Sequence, residues 1–437
     1  MKRVLVLGAG LVAGPLVRYL LGQEGFTVTV ASRTLAKAEK LIGGAENGSA
    51  LQLDVNNTAA VEGLVRDSDL AISLLPYVYH PLIAGLCVKH KRQMVTASYV
   101  KDEMRKLDEA AQAAGVILLN EIGVDPGIDH MSAMRVIDEI KESGGKLIGF
   151  SSWCGGLPAP DSNDNPFGYK FSWSPRGVLL AGKNPARYLR EEEVVDIPGK
   201  DLFEHHWPVD IEGFGTLEGY PNRDSLPYRD TYGIPDVKSM FRGTLRYPGW
   251  CEMMRVIGEL GFLDEDKRND LKGLSFRGLT AKLVGSDDVE KALVSSFGLS
   301  EDSHVISWLE WLGLLGNEPL PAGDSLLDIL VARMLEKMQY APGERDMLIM
   351  QHEFVARYPD RSEKIISTLI DYGHPNGDSS MSRLVGLPAA IAAKLVLHGE
   401  INLTGVQVPV LPEIYAPVLA ELEQLGVAFT ENRRQVS

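Results

Sequence analysis

The sequence predicts an α/β protein in two parts: a doubly wound parallel sheet, then a mixed α+β domain with an inserted helical domain. Three observations predict it. Residues 1–125 alternate short apolar strands with helices, the residues from Lys146 read as a mixed sheet, and amphipathic helical segments interrupt that second pattern. At 437 residues the chain exceeds one small core, and two or three domains are the expectation.

The opening "RVLVLGAGLVAGPLVRYLL" reads as a buried strand from Arg3 to Leu7, a glycine turn and a helix. Val12, Pro15, Leu16, Tyr19 and Leu20 recur at helical spacing and supply an apolar face. The turn Gly8-x-Gly10-x-x-Ala13, with Leu11 and Val12 inside it, has the form of a dinucleotide fingerprint. Gly8 permits the tight turn and Gly10 lets backbone approach a pyrophosphate. Ala13 keeps the helix close to the strand, and the helix N-terminus offers free N–H groups to phosphates. Alone, such a motif is weak.

Here the alternation continues. "TVTVAS", "LQLDV", "LAISLLP", "QMVTAS" and "GVILLN" read as further strands with helices between them. Six strands so arranged predict a Rossmann-type doubly wound sheet over residues 1–125. After the second strand stand Ser32, Arg33 and Thr34. An arginine flanked by hydroxyls suits the 2′-phosphate of NADP, where an NAD enzyme places an acid; the alternative is a solvated arginine opening the next helix. Asp54 and Val55 follow the third strand on the adenine side, and Leu75 follows the fourth on the nicotinamide side.

"EIGVDPGIDHM" follows the sixth strand. Asp129 is expected to cap a helix running to about Ser143, which puts Asp125 at the carboxyl edge where such sheets bind ligands. A plain turn carboxylate before proline is its other reading. "VTASYV" brings Ser98 and Tyr99 to the same edge.

Residues 126–250 and 340–399 are expected to form the mixed-sheet substrate domain, 251–339 the helical insert, and the tail 400–437 to return to the first domain. "KLIGFSSWC" is strand-like, and "ERDMLIMQHEFVARYPDRSEKIISTLIDYG" reads as a long hairpin with Pro359-Asp360-Arg361 in its turn. The stretch from Trp153 to Pro175, dense in Gly, Pro and aromatics, reads as a cleft-facing loop. Arg223 and Arg246 read as lying in Gly/Pro/aromatic-rich loops. They are either surface arginines or forks for substrate carboxylates.

Composition excludes several classes. A formal net charge of −15 argues against a nucleic-acid surface. Cys87, Cys154 and Cys251 fit neither a zinc pattern nor a disulfide framework, and point to the cytoplasm. His205-His206 lacks a third ligand at convincing spacing, so no metal is expected. No run reaches the roughly 18 uninterrupted apolar residues of a membrane span.

"LVLGAGLVAGPLVRYL", "ISLLPYVYHPLIA", "VTASYV", "GVDPGIDHM", "WCGGLPAPDSNDNPFGYKFSWSPRGVL", "LEGYPNRDS" and "RGTLRYPGW" together resemble the saccharopine reductase family, the L-glutamate-forming saccharopine dehydrogenases. The resemblance runs from the first strand through the tail. It implies a reversible oxidation of saccharopine to glutamate and 2-aminoadipate 6-semialdehyde, by hydride transfer and imine hydrolysis, in lysine metabolism. The implied cofactor is NADP, with NAD as alternative. Implied substrate contacts are Ser98, Tyr99, Asp125, Arg223, Thr244, Leu245 and Arg246. Implied cofactor contacts are the Gly8–Ala13 turn, Ser32, Arg33, Thr34, Asp54, Val55, Leu75, Asp125, Pro126, Gly127 and Trp173. Asp125, Tyr99 and Cys154 are the candidates for proton transfer. A homodimer is the default assembly. The competing readings are a carboxynorspermidine-type reductive aminase, whose pocket needs acids in place of arginines and Lys170, and a non-catalytic NADPH-sensing protein.

Overall fold

The central apolar runs of the first half, Val4–Leu7, Leu70–Ser73 and Ile117–Leu119, become strands because they are buried on both faces. The computed structural model describes residues 1–300 and 303–436. In chain order the strands are β1 (Lys2–Leu7), β2 (Phe26–Ser32), β3 (Gly48–Gln52), β4 (Leu70–Ser73), β5 (Gln93–Val95) and β6 (Ile117–Leu119). Next come β7 (Lys146–Pro158), β8 (Ala186–Arg190), β9 (Glu193–Ile197), β10 (Trp207–Ile211), β11 (Gly215–Pro221) and β12 (Ser239–Arg246). The last are β13 (Asp346–Arg357), β14 (Ser362–Tyr372), β15 (Gly405–Gln407) and β16 (Thr430–Val436).

One unit comprises Met1–Gly145 and Gly377–Phe429. Its sheet runs β15-β6-β5-β4-β1-β2-β3, every pair parallel. The order reverses between β1 and β4, the switch point where such sheets bind ligands beyond their strand ends. The six expected strands are present. The seventh, β15, is three residues long and too short to show a pattern. The helix Ser380–His398 packs on the helix Ala13–Leu21, and Gly386 is the point of closest approach: a Cβ there would stand 2.8 Å from the Val12 carbonyl. This helix is long and apolar enough to cross a membrane by length and composition, and most of it is buried inside the protein.

The second unit comprises Lys146–Asn376 and the C-terminal residues from Thr430. Its sheet runs β10-β11-β12-β7-β13-β14-β16, with β8 and β9 attached beside β12. Only β7 and β12 pair in parallel along that path. The hairpin β13–β14 forms with Pro359, Asp360 and Arg361 between its strands.

Boundaries differ from the expectation for physical reasons. The helix Ile128–Glu142 belongs to the nucleotide unit. Tyr415 on the helix Pro412–Gln424 donates to Asp138 at 2.8 Å, and Arg135 pairs with Glu423 at 2.8 Å. The division therefore falls after Gly145, not at 125, and the chain re-enters the first unit at Gly377, not 400. The terminal strand β16, polar and charged as edge strands commonly are, pairs with β14 in the second sheet instead of returning with the tail. The helices Trp250–Glu259, Phe276–Val284, Val289–Phe297, His304–Leu312 and Leu326–Lys337 form no separate domain. Met253, Leu279, Leu309 and Met334 share one buried cluster with Leu157, Leu217, Leu245 and Ile349 of the sheet.

The stretch Trp153–Pro175 is also not simply a loop. Its first six residues complete β7, where Gly155 is required because a Cβ would lie 2.8 Å from Leu245 on β12. Beyond Pro158, the aromatics Phe167, Tyr169 and Phe171 are buried in the shared core, and the Phe171 amide donates to the Met338 carbonyl at 3.0 Å.

Candidate active site

In the nucleotide unit, Gly8 leaves β1 with φ 111°, and a Cβ there would stand 3.1 Å from the Leu74 carbonyl. Nothing lies within 4 Å of the Cβ position of Gly10. The amides of Gly10, Leu11 and Val12 have no hydrogen-bond partner among the described residues, and Leu11 is 72% exposed. No side chain caps the helix Ala13–Leu21 at Val12. Unpaired amides at a helix N-terminus, backed by open space, are a fitting cradle for a pyrophosphate.

Arg33 follows β2 directly, is exposed, and makes no hydrogen bond or ion pair through its side chain among the described residues. Ser32 is half-buried and its hydroxyl accepts from the Thr34 amide at 3.4 Å. Asp54 is committed to a turn, accepting from the amide and side chain of Asn56 at 3.0 and 2.9 Å, while Val55 and Leu75 contribute to the core.

At the same carboxyl edge the Tyr99 hydroxyl donates to Asp125 Oδ1 at 3.0 Å. The Asp125–Pro126 peptide bond is cis. Three residues that the sequence reading passed over, Glu121, His130 and His80, brace the segments that carry this pair. Glu121, in a left-handed conformation with φ 56°, accepts the Val100 amide at 2.8 Å and the Nε2–H of fully buried His130 at 2.9 Å. Asp129 accepts the Gly127 amide at 2.5 Å and lies 3.7 Å from His130 Nδ1. The helix starts at Ile128, so Asp129 works inside its first turn, not as its cap. One buried network thus ties the residue after Tyr99 to the second residue after Asp125. The third is His80, whose ring joins the Ser73 hydroxyl at 2.9 Å to the Ser98 hydroxyl at 2.8 Å. Burial pushes His80 down to about 4, so the imidazole is neutral at physiological pH. The signal was there to find: His80, Glu121 and His130 are titratable residues in stretches otherwise apolar enough to be buried, and buried titratable groups need partners.

In the second unit, cross-strand neighbours share a sheet face. Cys154 on β7 pairs with Thr244 on β12, and Thr244 with Tyr220 on β11. Arg246, two residues beyond Thr244, therefore stands on the same face. It lies at the end of a strand, not in the expected loop. Arg246 is 6% exposed, and its guanidinium sits 4.9 Å from the Tyr169 ring and 5.3 Å from the Trp250 ring. It donates to the Leu245 carbonyl at 2.7 Å; its Nε has no partner, and no carboxylate pairs with it among the described residues. The Leu245 side chain is fully buried in the core, leaving only its backbone for a ligand. Arg223 is exposed in the turn after β11 with φ 57°. Trp173 is half-buried against the helix Pro175–Ala181 at Gly177. Lys170 is not available as a carboxylate anchor: it is buried between Asp164 at 2.8 Å and Glu344 at 2.7 Å.

A doubly wound sheet with a partnerless glycine-loop cradle and an acid–phenol pair at its edge defines a nucleotide-dependent oxidoreductase. Residues 4–119 match the saccharopine dehydrogenase NADP binding domain, and residues 123–427 the saccharopine dehydrogenase C-terminal domain. Over 444 residues the chain is 42% identical to saccharopine dehydrogenase (NADP(+), L-glutamate-forming) of Schizosaccharomyces pombe, covering 99% of both. The protein of the same name from Pyricularia oryzae is 41% identical, with 98% of both covered. The apo, histidine-tagged saccharopine dehydrogenase (L-Glu forming) of Saccharomyces cerevisiae superposes with a TM-score of 0.92 at 39% identity, over 99% of this chain and 100% of that one. The chain belongs to the saccharopine dehydrogenase family.

Proposed function

We propose that the protein catalyses the reversible, NADP-dependent conversion of L-saccharopine and water to L-glutamate and 2-aminoadipate 6-semialdehyde, in lysine metabolism. The observation that carries this reading is Arg246: a buried guanidinium with no acid partner among the described residues. A buried charge is costly until paired, and saccharopine brings three carboxylates. Arg246 is assigned to one of them and Arg223 to another. Thr244 and Ser98 supply hydroxyl contacts, with Ser98 oriented by neutral His80.

NADP+, when bound, supplies the acceptor for the hydride that leaves the carbon beside the secondary amine. The unpaired amides of Gly10, Leu11 and Val12 are assigned to its pyrophosphate and Arg33, with Ser32 and Thr34, to its 2′-phosphate. Water then adds to the substrate imine, and the adduct collapses to amine and aldehyde. Addition releases one proton from water, the adduct's nitrogen takes that proton up as the C–N bond breaks, and the hydroxyl proton leaves as the aldehyde forms. The Tyr99–Asp125 pair is assigned to that traffic. The phenol's hydrogen bond favours the ionised carboxylate, which takes the proton from water. Cys154 lines the Arg246 face and serves as a polar neighbour, not as an obligatory proton donor.

The test is NADPH formation followed by absorbance with saccharopine, against NAD+ and against carboxynorspermidine. Saccharopine-dependent NADPH formation is expected; its absence with both nucleotides would refute the assignment. The three free cysteines fit a reducing cytoplasm, and a homodimer is proposed, with sedimentation equilibrium at one chain mass as the contrary result.

A further inference from the structure

The second unit contains a polar cluster that the reaction does not use. We propose that His206, Glu218 and Cys251 form a binding site for a borderline-soft divalent cation of the zinc class. Their ligand atoms all lie within 4.8 Å of one another. His206 Nδ1 is 2.8 Å from Glu218 Oε1, and the Cys251 amide donates to Glu218 Oε2 at 2.9 Å. Neighbouring donors of a tetrahedral zinc ion stand about 3.3–3.8 Å apart, given bond lengths of about 2.0–2.3 Å. Shifts below an ångström would close the set on an ion.

The three donors come from rigid elements. His206 immediately precedes β10, Glu218 lies on β11 opposite Pro208, and Cys251 is in the first turn of the helix Trp250–Glu259. Glu218 and Cys251 are buried, and His206 is exposed. Imidazole nitrogen, carboxylate oxygen and thiolate sulfur form a mixed set that magnesium and calcium disfavour and zinc accepts. A cavity of about 390 Å³ opens on His206 and Glu218 and carries Glu252 and His304 on its wall. It gives an ion a way in and leaves a fourth position for water or one of those two side chains. The paired histidines 205 and 206 offered no third ligand in the sequence because the other donors come from a strand 12 residues on and a helix 45 residues on. Coordination displaces the thiol proton, and any proton on the imidazole, to solvent. The ion's two positive charges then face the carboxylate and the thiolate.

The test is zinc titration of the full chain against a competing chromophoric chelator, with cobalt substitution in parallel. One ion per chain is expected, together with a near-ultraviolet thiolate-to-cobalt charge-transfer band. Cys251→Ala should abolish that band, and His206→Ala should weaken zinc binding at least about tenfold. Circular dichroism and saccharopine turnover, both retained in His206→Ala, establish that this variant is folded. No stoichiometric binding, or equal affinity in the wild type and His206→Ala, overturns the site. Because the readouts are affinity and a cobalt spectrum, they stand apart from the assignment of the reaction.

Discussion

Tyr99 donates its phenol to Asp125 at 3.0 Å, and the neighbouring Val100 amide is held by Glu121, which His130 grips from below. A hydrogen bond to an ionised carboxylate is worth about 1.5–3 kcal/mol and favours the charged form. With Asp125 in the proton-transfer role proposed above, removing that bond should raise the pH at which the carboxylate can act as a base. Tyr99→Phe should therefore move the acidic limb of the kcat/KM profile upward by about one pH unit or more, since one unit corresponds to about 1.4 kcal/mol. Asp125→Asn should flatten that limb and lower kcat by about a hundredfold. An acidic limb unmoved in Tyr99→Phe would separate the phenol from the proton transfer.

The nucleotide half of this arrangement was legible because it is local. The glycine turn, the strand before it and the helix after it fall within residues 2–21, and the period of apolar residues marks each. What could not be read depends on long-range pairing. The three-residue strand β15 exists because Gly405–Gln407 pairs with β6, 288 residues earlier in the chain. The helices after Trp250 read as a domain because each is amphipathic. Their apolar faces, however, are spent on Leu157, Leu217 and Leu245 of the sheet. Arg246 reads as a loop residue because "RGTLRYPGW" mixes strand and turn chemistry, and only pairing with β11 and β7 shows where the strand ends.

Arg33 gives a direct test of cofactor choice. The side chain is exposed and makes no hydrogen bond or ion pair among the described residues, so replacing it disturbs little else. Arg33→Asp should lower kcat/KM for NADP+ and shift the NADP+/NAD+ preference by at least about tenfold, as loss of a charge-assisted phosphate contact predicts. Steady-state kinetics with both nucleotides decides it. An unchanged ratio would leave Arg33 without the role assigned.

Cys154 sits in the middle of a strand between β12 and β13, paired with Thr244 and Met350. A serine fits that space and keeps a hydroxyl beside Thr244 on the Arg246 face. Cys154→Ser should retain activity within about tenfold, whereas an essential proton donor would cost about a thousandfold or more. A drop in kcat beyond about a thousandfold would reverse the assignment.

His80 predicts a pH dependence of stability. Its folded value of about 4 lies below the ordinary 6.5 because burial disfavours the imidazolium. Between those values the unfolded chain binds the proton and the folded one does not, so stability falls as pH drops from 6.5 towards 4 and levels off below. The whole window is worth at most about 3 kcal/mol. Urea denaturation across that range should show the loss, and His80→Gln should remove that part of the slope while disturbing Ser98. A slope unchanged in the variant would mean that His80 titrates like an exposed histidine.

Arg246 sets function against stability. Its guanidinium is buried over Tyr169 and Trp250 without a carboxylate among the described residues, so the ligand-free fold bears the cost of an uncompensated charge. Methionine fills similar volume and keeps the contact with both rings. Arg246→Met should therefore leave the unfolding free energy unchanged or raise it by about 1–4 kcal/mol, as replacing buried charges with apolar residues does elsewhere. The same change should raise the KM for saccharopine about a hundredfold, the equivalent of about 2.7 kcal/mol of lost charge-assisted binding. Saccharopine should also protect the wild type against thermal unfolding and fail to protect the variant. Destabilisation with an unaltered KM would make Arg246 a structural cation, and the carboxylate anchor would have to be sought at Arg223.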